Sequence, residues 1–164
     1  MQTITITSEK NRRYTALIDG KPFGTLYYPK WFSQDAEITI GASMYILKGK
    51  GFWKTHGEVL KDGMPIFDIK TKWSGNVISR TKEAHHFYTL KPKGFFKCGY
   101  VLENYKGEVV MEVKQEFSWK FNPGYLLTVN EDTMTEDTML LALVAMHYFR
   151  AAMNAAAASV AAAG

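Results

Sequence analysis

Few side chains in this 164-residue sequence stand at spacings that carry covalent chemistry. Lys48, Lys50 and Lys54 surround Phe52 and Trp53 in the run KGKGFWK, a glycine-bent basic turn with aromatic rings between the cations. Rings so placed can lie at a membrane interface while ammonium groups meet phosphate. Gly49-Lys50-Gly51 begins like a dinucleotide fingerprint, but Lys54 stands where the third glycine belongs and no helical pattern follows. A GxxxxGK[ST] phosphate loop is absent from the sequence.

His85 and His86 are adjacent, so on a strand they point to opposite faces and cannot chelate one metal together. His56 and Cys98 would join them only through the fold, and the known zinc spacings are missing, so no metal and no cofactor are expected. Neither a G-x-S-x-G elbow nor a carboxylate pair of telling spacing is present, and the expectation is a protein that is not an enzyme, with no catalytic residues. Cys98 lies in the apolar stretch GFFKCGYVL, where a small buried thiol is the common outcome.

Charge is unevenly placed. Residues 48–97 hold eleven Lys or Arg against four acids, a surplus of seven, which leaves a deficit of three elsewhere in a chain of net charge +4. This predicts a basic face suited to an anionic partner, with Arg80 and Lys82 joining Lys48, Lys50 and Lys54; the plain alternative is the solvated sides of strands. Met1–Thr7 reads MQTITIT, without the basic and apolar regions of a secretory signal, and a single cysteine excludes an internal disulfide; a cytoplasmic protein is expected.

The elements that must position these residues are short strands. In IFDIKTKW, Phe67, Ile69, Thr71 and Trp73 alternate with Asp68, Lys70 and Lys72, and VVMEVKQE repeats the pattern with Val109, Met111 and Val113 on one side. Asp19-Gly20, Asp62-Gly63 and Asn104–Gly107 supply hairpin tips, since Asp, Asn and Gly tolerate the positive φ of tight turns. LIDGKP, LKDGMP and LENYKGEV look like copies of one unit of strand, turn and returning strand. Roughly ten to twelve strands fit between residues 3 and 129, a spacing that predicts an all-β sandwich or barrel.

After Asn130 the character changes. Thr133 and Glu136 form a capping-box pair, predicting a helix from Thr133 to Ala163 whose acidic first turn suits the helix dipole. Residues 139–163 are long enough to span a bilayer, but Arg150, His147 and Asn154 interrupt them and the upstream flank is acidic. A helix apolar on nearly every side is a buried helix, and small alanines let it pass close to a surrounding wall. His147, Arg150 and Asn154 share one stripe, which marks where that wall opens or meets a loop. The expectation is one domain, 1–164, mainly β, with strands over 1–129 closing around a central helix over 133–163.

The strand-rich body with Asp-Gly and Lys-Gly hairpins, the stretch VLENYKGEVVMEVKQ and the terminal DTMLLALVAMHYF resemble the tubby C-terminal-like superfamily, which includes phospholipid scramblases and plant LURP-one-related proteins. The resemblance covers almost the whole chain and implies a closed, roughly twelve-stranded antiparallel β-barrel filled by the C-terminal helix. It also implies lipid-directed function, since tubby domains bind phosphoinositide headgroups. No binding residue of those families is matched to this chain. The resulting expectation is a binding domain for an anionic lipid at a membrane surface, with Lys48, Lys50, Lys54, Arg80 and Lys82 on the headgroup and Phe52 and Trp53 on the membrane. The alternatives are a soluble protein-interaction scaffold, a nucleic-acid binder recognisable by steep salt dependence, and a small-ligand carrier, which a filled lumen disfavours.

Overall fold

The computed structural model describes residues 1–30, 33–51, 55–94, 99–116 and 124–164. Twelve strands follow one another: β1 (Gln2–Glu9), β2 (Arg13–Ile18), β3 (Lys21–Tyr27), β4 (Ala36–Ile40), β5 (Ser43–Lys50), β6 (His56–Lys61), β7 (Met64–Lys72), β8 (Gly75–Arg80), β9 (Glu83–Pro92), β10 (Gly99–Asn104), β11 (Val109–Glu116) and β12 (Gly124–Val129). A single 3₁₀ turn, Lys10–Arg12, joins β1 to β2, and helix α1 (Glu136–Ala163) ends the chain. Each strand pairs antiparallel with its sequence neighbours, and β1 pairs β12 from Gln2 opposite Val129 to Ile6 opposite Tyr125. The sheet is a closed meander barrel and leaves no strand edge unpaired.

Alternation decides which side chains fill it. Ile4 and Ile6, Ile38 and Ile40, Phe67 and Ile69, and Met111 and Val113 all point inward and are buried, while their neighbours face water or the barrel surface. Trp73 departs from the expected pattern. Strand β7 stops at Lys72, which already pairs with Gly75, so Trp73 sits in the turn and is fully exposed.

Asp19 and Gly20 have φ of 51° and 76°, and Asp62 and Gly63 have 53° and 76°, so both tips are the two-residue turns that need positive φ at each centre. A bulge accompanies each: the register shifts at Ala16/Leu17, at Val59/Leu60 and, in the third hairpin, at Leu102/Glu103. The three bulges are 43 residues apart, and the extra residues Phe23, Ile66 and Val110 each pack against the core. The three similar stretches of sequence thus build one supersecondary unit three times around the barrel.

Helix α1 threads this ring. Its buried residues run from Thr138 to Phe149, twelve positions or about 18 Å of helix at 1.5 Å each, the depth that strands of this length enclose. The helix starts later than expected: the N-cap is Thr135 rather than Thr133, with the Thr138 backbone N–H donating to Thr135 Oγ1 at 3.1 Å. Thr138 Oγ1 in turn donates to Glu131 Oε2 at 2.8 Å. Glu136 therefore falls at the first helical position, where it accepts from the Tyr45 hydroxyl and from Lys61, and cannot reach back as a capping-box acid. The far end also differs from expectation. By length and composition the helix could cross a membrane, yet it is neither wholly core nor wholly anchor: residues 138–149 lie inside, and from Met153 onward every residue is exposed.

Candidate functional site at the helix exit

The residues expected to bind anions are divided by the fold. Lys48 is exposed on β5 opposite Glu58, and Lys50 Nζ lies 2.6 Å from Glu58 Oε2, which holds the lysine's pKa above its usual value. Arg80 lies toward the opposite rim, 2.7 Å from Asp137 Oδ2 and with its guanidinium 5.4 Å from the Phe67 ring, and exposed Lys82 follows in the β8–β9 turn. Lys50 and Arg80 do line one shallow groove on the outer wall, but Glu58 and Asp68 line it with them. Phe52, Trp53 and Lys54 lie outside the described residues.

The two ends of the barrel differ in charge. Where α1 begins, the strand ends and the described residues between them carry eight acids (Asp19, Asp62, Glu83, Glu108, Glu131, Asp132, Glu136, Asp137) against Lys21, Lys61, Arg80, Lys82 and Lys106. Where α1 leaves, they carry Lys10, Arg12, Arg13, Lys30, Lys50, Lys72 and Lys93 against Glu9, Asp35 and Glu116. The helix adds Arg150 to the second group.

Arg150 is the centre of that basic mouth. Its Nε donates to Tyr14 Oη at 2.9 Å, and its guanidinium lies 4.5 Å from the Tyr28 ring centre and 5.4 Å from that of Tyr14. Aromatic faces stabilise a partly desolvated guanidinium, and the planar fork suits such stacking. One helical turn deeper, the Tyr28 hydroxyl and His147 Nδ1 are 2.8 Å apart, with the two rings stacked. Burial, helped by the nearby Arg150 charge, pushes His147 down to about 3, so the imidazole is neutral near pH 7 and Nδ1 can accept the tyrosine proton. Burial also raises Tyr28, and it pushes Tyr125 up to about 12, which keeps both phenols protonated around the guanidinium.

Above this layer is a hollow of about 250 Å³ lined by Arg12, Tyr28, Lys30, Ser33, Gln34, Arg150 and Asn154. Its rim is fixed by backbone: Tyr28 N donates to the carbonyl of Arg12 at 3.1 Å, tying the 3₁₀ turn to the segment that carries Lys30. Arg12 itself adopts φ of 63°, an uncommon conformation for a residue with a long side chain. Among the described residues, Arg12, Lys30 and Arg150 line the hollow and no carboxylate does. The nearest acid in sequence, Asp35, accepts instead from the Gly49 backbone N–H at 3.0 Å. Arginine forks, an ammonium group, a hydroxyl and two amides together form a donor set for phosphate or carboxylate oxygens. Among the described residues, no group of three His, Cys, Asp or Glu stands where it could hold a metal ion.

Sequence reading located part of this site. The stripe of His147, Arg150 and Asn154 does meet the opening of the wall, whereas Arg12 and Lys30 were missed. Their signal was a cation in each of two connections, KNR and YPK, that adjoin strands β2 and β3.

A scan of the sequence against protein-family models matches none, and a search of curated proteins returns no match. The fold is similar to the X-ray structure of a protein from Arabidopsis thaliana, with a TM-score of 0.55 over 88% of this chain and 89% of that one. The two share 12% sequence identity, so the likeness concerns the fold.

Proposed function

We propose that this chain is a tubby-like, non-enzymatic binding barrel that recognises the phosphate of an anionic lipid headgroup from the cytoplasmic side, with the helix-exit hollow as its site. The observation that carries the reading is the hollow itself, where Lys30 and Arg150 stand together and no carboxylate is among the described lining residues. In this reading the Tyr14, Tyr28 and His147 layer holds Arg150 in position, and the exposed Lys30 makes the adaptable contact. Lys48 and Lys50 lie toward the same rim and add long-range attraction, while Arg80 and Lys82 face the acidic end. The resemblance of VLENYKGEVVMEVKQ and DTMLLALVAMHYF to the scramblase and LURP-one-related group supports a lipid ligand over a nucleic acid.

Flotation of the full chain with phosphatidylcholine vesicles, with and without phosphatidylserine or a phosphatidylinositol bisphosphate, tests the proposal. Binding is expected on anionic vesicles alone, weakening as salt rises, with a loss of about tenfold on Lys30→Glu, since exposed charges act through a screened field. Binding indifferent to lipid charge, or none at all, would leave the scaffold reading in its place.

A further inference from the structure

The hollow surrounds the base of a helix that does not stop at the barrel. Helix α1 is continuous to Ala163 and is buried only to Phe149, so its last turns leave the mouth along the line the buried part takes through the barrel. Beyond Arg150 there is no charged side chain: the sequence reads AAMNAAAASVAAAG, with Asn154 and Ser159 its only polar side chains. Met153 and Val160 are 39% and 73% exposed. Alanine is the best helix former, which keeps these turns helical without a packing partner, but no described residue of the barrel accounts for an apolar rod in water.

We propose that the protein docks end-on and that residues 155–163 enter the acyl region of an anionic bilayer, while Arg12, Lys30, Arg150 and Asn154 remain at phosphate level. This rests on the headgroup reading above and adds the orientation and the inserted element. These nine residues reach about 14 Å, and a hydrocarbon core is about 30 Å thick, so they lie within the near leaflet. Cations at the base of an apolar helix are the arrangement that lets charge stay with the headgroups as the apolar part goes below. Trp73 is fully exposed beside Lys72 at this same rim, the placement in which tryptophan settles at an interface. Charge complementarity selects the occupant: a second copy bound rod to rod and mouth to mouth would bring Lys30 and Arg150 against the same cations, whereas anionic lipid neutralises them. Alanine drives insertion weakly, so entry depends on those cations and is reversible.

The test compares the full chain with one ending at Asn154, which removes only exposed residues and keeps the described residues that line the hollow. On phosphatidylcholine–phosphatidylserine vesicles the shortened chain is expected to bind about tenfold or more weakly, while both bind inositol hexakisphosphate equally. A Val160→Cys chain labelled with NBD, in a Cys98→Ser background, should shift to the blue on these vesicles and be quenched by nitroxides on the acyl chains. A label at Met64→Cys, on the acidic end, should not respond. Equal vesicle binding by the two chains, or a label at 160 that stays in water, overturns insertion and leaves the headgroup reading intact. A full chain that binds inositol hexakisphosphate but not vesicles also overturns insertion, and one that binds neither removes both readings. Dimers lost on shortening would assign the rod to a second copy and overturn the proposal. The shortened chain keeps Cys98 and Val160 out of the question should the labelled variant fail to fold.

Discussion

Leu143 and Val160 lie on one helix at two different structural fates, and replacing each by alanine tests the division. Leu143 is fully buried, and its Cδ1 is 3.4 Å from where a Cβ on Gly24 would be, so it fills the space that a glycine in the wall of β3 leaves. Leu143→Ala removes buried atoms and opens a cavity, and burial of this kind costs about 3–5 kcal/mol where the surroundings cannot collapse. Here they collapse poorly, because every strand of the ring is hydrogen-bonded on both sides. For a chain of this size that corresponds to a fall in Tm of roughly 10 °C. Val160 is 73% exposed, so Val160→Ala should change stability by no more than about 0.5 kcal/mol in either direction. Urea unfolding followed by circular dichroism measures both, with the slope checked for constancy. A loss below about 1 kcal/mol for Leu143→Ala, or above about 1 kcal/mol for Val160→Ala, would refute the assignment of core to one half and solvent to the other.

Two other outcomes follow from contacts in the wall and from the buried imidazole. A Cβ on Gly57 would stand 2.5 Å from the Tyr148 hydroxyl and 3.3 Å from the Lys48 carbonyl, so Gly57→Ala should cost about 1–3 kcal/mol, and Tyr148→Phe in the same chain should recover most of it in the same urea series. His147 has a folded pKa lowered to about 3, so the unfolded chain takes up its proton first; this contribution to stability is complete above about pH 6.5 and is lost as pH falls toward 3. Between those limits the native chain should lose a little over 1 kcal/mol per pH unit from this group, and His147→Gln, measured from pH 7 to pH 4, should lack that slope if the histidine is the cause.

Strands were legible because two independent signals agree in each, inward alternation and a turn residue that tolerates positive φ. Trp73 shows where that agreement ends, since alternation continues in sequence past the point at which Lys72 and Gly75 close the turn. The helix was legible as a helix but not in its two halves: alanine fits against a wall and stands in water equally well, so it does not report burial. Thr133 and Thr135 are both acceptable caps by type, and the choice fell to partners far away in sequence, Tyr45 and Lys61 occupying Glu136. The candidate site was hardest to see, because Arg12, Lys30 and Arg150 come together only when β2 and β3 are wrapped around the helix. Local composition instead favoured the crowded lysines of residues 48–54.

A closed ring with a helix through it constrains the order of assembly. Once Gln2 pairs with Val129 there is no seam through which a helix bearing Leu143, Met146 and Phe149 could be drawn in, so the ring must close around it. The helix that fills the ring follows all twelve strands in sequence, and the two strands that lock the seam are the first and the twelfth. Closure of the ring therefore waits for helix α1, and a nascent chain halted before Thr138 holds twelve strands' worth of apolar faces with nothing to fold upon.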